Sequence, residues 1–127
     1  MKFTFERSKS LIRVLAFVHG PDKVRRGNFA LDTGATKTCI SPTVLHQIGH
    51  DVGLATNFAT LTTGNGNIRL PSVAVVALRC LGQTKADFTI HVLSFPPSSG
   101  IVGLFGLDFL QGRKLCIDYR DGTIELP

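Results

Sequence analysis

Asp32 follows three apolar residues, Phe29-Ala30-Leu31, and is followed at once by Thr33, Gly34, Ala35 and Thr36. The apolar run reads as the end of a buried strand. An ionisable group in that position is costly unless it is paired or hydrogen-bonded, so Asp32 is a candidate for chemistry. A carboxylate can act as a general base, taking a proton from water as the water attacks a carbonyl. A second, neutral carboxyl beside it can protonate the carbonyl oxygen. Close like charges push the two protonation steps apart, which keeps one shared proton in place over a useful pH range. Alone, Asp-Thr-Gly reads better as an ordinary turn, because three-residue matches are common.

Other chemistry-bearing sets are weaker. His46-Gln47-Ile48-Gly49-His50 has the His spacing of a zinc peptidase helix, but Gln stands where the general base belongs and Gly49 ends the helix before the second His. Gly64-Asn65-Gly66 lacks the third glycine of a dinucleotide loop and the Lys-Ser/Thr of a phosphate loop. Cys39 has no His placed to activate it and reads as a buried strand thiol. Cys39, Cys80 and Cys116 are odd in number and widely spaced, which suits reduced thiols in a cytoplasmic setting. No metal or cofactor is expected.

The 127 residues allow one domain with a real core, and 43% apolar with 18% charged residues is a globular composition. The net charge of +5 is scattered. Its densest cluster, Lys23-Val24-Arg25-Arg26, is expected in a solvated hairpin turn, so no nucleic-acid partner is expected. The apolar run from Leu11 to Val18 is short and contains Arg13, so it reads as a poor signal peptide and is too short to span a bilayer.

The elements that must position Asp32 are mostly short strands. Lys2 to Glu6, Leu11 to Val18, Gly27 to Leu31 and Thr38 to Ser41 read as strands, as do Phe58 to Leu61, Ile68 to Leu78 and the alternation around Phe88, Ile90 and Val92. Ser41-Pro42 opens a small helix with Val44, Leu45 and Ile48 as its apolar face and Gly49 at its end. Thr62 to Asn67 is a glycine-rich hairpin tip of type I′ or II′. Gly106 to Gly112 suits a short helix, and Asp121-Gly122 joins a last hairpin from Leu115 to Leu126. The tally is an all-β, barrel-like single domain over residues 1–127 with one or two short helices.

Asp32-Thr33-Gly34-Ala35-Thr36 resembles the catalytic loop of aspartic peptidases, and Ala after Gly resembles the retropepsin branch. Ile101-Val102-Gly103-Leu104-Phe105-Gly106-Leu107-Asp108-Phe109-Leu110 resembles the second retropepsin signature, two apolar residues and Gly leading into a short helix. With the helix and the glycine-tipped hairpin between them, the resemblance covers residues 28 to 120 in order. The Gly-Leu-Asp-Phe-Leu form is similar to cellular and bacterial retropepsin-like proteins.

The resemblance implies a closed acid-protease barrel in which two strands cross beneath the catalytic loop, with a mobile flap over it. It implies Asp32 as the catalytic acid, Thr33 as the residue that hydrogen-bonds to a partner loop, and Gly34 as the N–H donor to the carboxylate. Ala35 borders the substrate where pepsin-like loops carry Ser, and Gly64, Asn65 and Gly66 cover it by backbone hydrogen bonds. The chain has a single Asp-Thr-Gly, and Gly-Leu-Asp around Asp108 lacks the loop signature; Asp108 reads as a helix-dipole residue. The second carboxyl must then be Asp32 of another copy. The expectation is a homodimeric aspartic endopeptidase acting on extended polypeptides, the alternative a non-catalytic peptide-binding or dimerisation module of the same fold. Retroviral members stop soon after the second signature and use their termini as the dimer sheet, whereas this chain continues through a full hairpin.

Overall fold

The computed structural model describes residues 1–127. The strands are β1 (Lys2–Thr4), β2 (Arg13–His19), β3 (Val24–Leu31), β4 (Cys39–Ile40), β5 (Asn57–Thr63), β6 (Gly66–Cys80), β7 (Gln83–Val92), β8 (Gly103–Phe105), β9 (Cys116–Asp118) and β10 (Thr123–Glu125). Two short helices, α1 (Pro42–Gln47) and α2 (Leu107–Leu110), and two single 3-10 turns at Val52–Leu54 and Pro97–Ser99 complete the chain. No helix is long and apolar enough to cross a membrane.

The larger sheet runs β2-β3-β8-β4-β7-β6-β5, and β2 also pairs with β6, so six strands close into a barrel with β5 carried outside the ring. Period-2 alternation builds the wall: Val14, Ala16 and Val18 of β2 are buried while Leu15 between them is 50% exposed. Three rings stack in a column in the core. Phe29 of β3 lies 4.7 Å from Phe105 of β8, which lies 4.4 Å from Phe109 of α2, all three buried. Each buried Phe contributes about 1.5–3 kcal/mol of hydrophobic stabilisation. The column therefore fixes β3, β8 and α2 as one body beneath the Asp32 loop. Close packing also explains two glycines of the second signature. A Cβ on Gly103 would lie 2.4 Å from the Phe29 ring, and one on Gly106 would lie 2.6 Å from the Lys37 backbone.

Helix α1 forms as its sequence dictates. The Ser41 hydroxyl accepts the Val44 N–H at 3.2 Å, and Pro42 occupies the first turn. At the other end Gly49 takes φ +105°, with its N–H donating to the His46 carbonyl and that of His50 to the Leu45 carbonyl. This is a Schellman closure.

Two features depart from the sequence expectation. Arg25 and Arg26 lie in β3, paired with Val18 and Phe17, because the outer half of β3 presents polar residues to solvent; the turn is confined to residues 20–23. Strand β7 begins at Gln83 rather than near Phe88, joined to β6 by a tight turn in which Leu81 and Gly82 both have positive φ, 51° and 70°. Leucine tolerates that backbone here because its side chain is buried in the core. The last hairpin forms as expected, and β1 pairs with its strand β10, which pairs with β9, giving a three-stranded sheet within a single chain.

Candidate active site

Asp32 sits one residue past β3, half-buried, at the point where β3 and β8 run parallel with Leu31 beside Phe105. Its N–H donates to the Phe105 carbonyl at 3.1 Å, and its own carbonyl accepts the Ala35 N–H at 3.2 Å. The carboxylate oxygen Oδ1 accepts the Gly34 N–H at 2.9 Å. A Cβ at residue 34 would stand only 3.3 Å from that oxygen, so glycine gives the backbone its close approach.

The remainder of the loop is buckled to the β8–α2 junction. The Leu107 N–H donates to the Ala35 carbonyl at 2.8 Å and the Asp108 N–H to that of Thr36 at 3.2 Å. In return the Asp108 carboxylate accepts the Thr38 N–H at 3.1 Å and the Thr38 hydroxyl at 2.7 Å. The Thr38 oxygen accepts the Gly106 N–H at 3.2 Å, and Thr38 is fully buried. Asp108 is thus a clasp on the Asp32 loop rather than the dipole residue its helix position suggested; α2 has only four residues. Lys85 closes the set by donating to the Asp108 carbonyl at 2.7 Å. Replacing Asp108 by Ala strands the buried Thr38 donors. The expected loss is about 2–4 kcal/mol of unfolding free energy, read from urea denaturation. A loss under about 0.5 kcal/mol would show that the clasp does not stabilise the loop.

Asp32, Gly34 and Ala35 form one wall of a cleft of about 600 Å³, and Ala59 to Thr62 of β5 face them from the hairpin side. Lys37, Cys39 and His91, none singled out as a site residue from the sequence, also line it. Thr33 is not in the cleft. It is exposed on the other side of the loop, bordering a shallow depression of about 300 Å³ with Leu107, Leu110 and Leu115. Gly64, Asn65 and Gly66 lie at the exposed tip of the β5–β6 hairpin, beyond the lining residues. The tip is not a type I′ or II′ turn: only Gly66 has positive φ, +108°, and Gly64 and Asn65 do not. The Thr63 hydroxyl shapes it, donating to the Gly66 carbonyl at 2.8 Å and accepting the Asn65 N–H at 3.2 Å.

Burial governs the protonation states around the cleft. Cys39 is pushed up to about 11 by burial and then by the Asp108 charge, so it remains a neutral thiol. His91 is lowered by burial and by the Lys37 charge, and its Nδ1 is 2.9 Å from the Ser72 hydroxyl. His50 is also lowered by burial; it lies past the α1 cap and therefore off the face that carries His46. Both rings bind a proton less readily folded than unfolded. Below the unfolded value of about 6.5 the unfolded chain takes up more protons, so stability is full above that pH and falls as pH drops through it. The urea midpoint is expected to decrease from pH 7.5 to 5.5; a midpoint that rises over this window would contradict the assignment.

The six-stranded barrel, with Asp32-Thr33-Gly34 placed just past the parallel pairing of β3 and β8, is the retropepsin-like fold. The model of the family described as "gag-polyprotein putative aspartyl protease" matches residues 23–112, and the chain belongs to that family. DNA damage-inducible protein 1 of Cryptococcus neoformans var. neoformans is 32% identical over 96 residues, 76% of this chain and 21% of that protein. The chain therefore spans about a fifth of the length of the curated relatives it matches. Among solved structures, a retropepsin-like aspartic protease from Rickettsia conorii superposes with a TM-score of 0.72 at 21% identity, covering 99% of this chain and 88% of that one. The EIAV protease complexed with the inhibitor HBY-793 superposes at 0.59 with 19% identity, covering 86% and 95%. The retroviral protease-like domain of Ddi1 from Leishmania major gives 0.59 with 15% identity, covering 93% and 89%.

Proposed function

We propose that residues 1–127 act as one domain of a homodimeric aspartic endopeptidase, which hydrolyses extended polypeptides with water activated between two Asp32 carboxyls, one per chain. The observation that carries this reading is Asp32 itself, rigidly held on the wall of a peptide-sized cleft that a hairpin flanks. Each chain brings one such carboxyl, and the mechanism needs two, one ionised as base and one neutral as acid. Thr33, turned away from the cleft, is free to bond to the partner's loop, and Gly34 steadies the carboxylate through its N–H. Ala35 borders the substrate. Gly64, Asn65 and Gly66 descend on it when the hairpin closes, offering backbone hydrogen bonds. Three free thiols suit a reducing, cytoplasmic setting.

The test is digestion of a diverse peptide mixture, with the Asp32→Ala protein as blank and product masses read by mass spectrometry. New termini flanked by apolar residues, absent from the blank, support the peptidase. Peptide retention without cleavage by wild type would replace it with the binding module.

A further inference from the structure

The cleft carries one charge besides Asp32. Lys37 is exposed in the lining, and its ammonium makes neither a hydrogen bond nor an ion pair. The single ion pair of the molecule joins Arg120 and Asp121, and the other lysine near the loop, Lys85, is committed to the Asp108 carbonyl. The neighbouring cleft residues Ala35, Ala59, Leu61, Leu93 and Leu104 are apolar, and His91 is buried against Ser72. Lys37 also stands on fixed backbone. Thr36 and Thr38 on either side are both tied to Asp108, and Gly106 packs so tightly against the Lys37 main chain that a Cβ would lie 2.6 Å away. A long cationic side chain on fixed backbone, in a cleft whose only other charge is Asp32, is a reader of charge.

We propose that Lys37 is a specificity-determining residue that selects polypeptides carrying Asp or Glu close to the scissile bond. This rests on the peptidase reading above. Lys37 and Asp32 line the same cleft, and an extended substrate advances roughly 3.3 Å per residue, so a long lysine side chain there meets residues that flank the scissile bond. Two-fold pairing of chains places one Lys37 on each side of the bond, so acidic residues are favoured on both. An exposed pair shifts selectivity by roughly two- to fivefold, and reversing the substrate charge on both sides multiplies this to about tenfold.

The experiment uses synthetic peptides with one apolar scissile pair and Glu, Gln or Lys at the flanking positions. Wild type, Lys37→Gln and Lys37→Glu are compared by kcat/KM at low and high salt. Wild type is expected to prefer Glu over Lys peptides by about tenfold, less at high salt, with the preference lost in Lys37→Gln and inverted in Lys37→Glu. Because Lys37 is exposed, these variants keep their unfolding midpoints. A Glu-to-Lys ratio that is the same in all three proteins overturns the proposal. Fluorescence anisotropy of the same labelled peptides on Asp32→Asn and on Asp32→Asn with Lys37→Glu reads the preference without hydrolysis. If wild type cleaves none of the peptides, the peptidase reading fails, and the anisotropy ratio alone upholds or overturns the role of Lys37.

Discussion

Asp32→Asn is expected to lower kcat/KM on every cleaved peptide by roughly 10³-fold or more while leaving the barrel folded. The amide keeps the size of the carboxyl and can still accept the Gly34 N–H through its oxygen. It loses only the charge-assisted part of that bond, so the stability change is expected to stay near 1 kcal/mol or below. What it cannot do is take a proton from water or share one with a second carboxyl. Rate and stability therefore separate at this residue, in contrast to Asp108→Ala, where both fall because the clasp on Thr38 is structural. Unchanged turnover in a folded Asp32→Asn protein, verified by its unfolding midpoint, would end the aspartic peptidase reading.

What could be read from the sequence was whatever rests on local signals. Ser41, Pro42 and Gly49 act within α1 itself, and all three took the capping and closing roles their types favour. The β5–β6 hairpin was legible from its glycines, although its turn type was not, since the choice of which residue takes positive φ depends on how Thr63 bonds across the tip. Asp32 stood out because a carboxylate at the end of an apolar run is costly to keep without a hydrogen-bond donor or a chemical task. The misses share a different cause. The basic cluster reads as a turn only if strands are assumed to be apolar, and the outer part of β3 faces solvent. Leu81 at positive φ violates local preference and is stabilised by burial in a core assembled from distant segments. The Thr38–Asp108 clasp joins residues 70 positions apart, so no window along the chain contains both. Lys37 is one more scattered charge along the chain, and only the assembled cleft sets it apart.

In the proposed dimer each chain carries one of the two carboxyls, so specific activity is expected to fall on dilution. Well below the dimer dissociation constant the active fraction is proportional to concentration, so a tenfold dilution lowers specific activity by about tenfold. Subunit mixing gives an independent measure. With a ninefold excess of folded Asp32→Asn protein and random pairing, about a tenth of wild-type chains find a wild-type partner, and activity per wild-type chain falls roughly tenfold. Thr33 faces outward beside Leu107, which is 38% exposed, away from the Asp32 cleft. The β1-β10-β9 sheet forms within one chain. Dissociation should therefore leave each barrel folded, and activity should vanish with no loss of secondary structure by circular dichroism. If dilution through a dimer-to-monomer transition, followed by analytical ultracentrifugation, left specific activity unchanged, Asp32 would have to find its second acid within one chain. The shared-dyad mechanism would then be wrong.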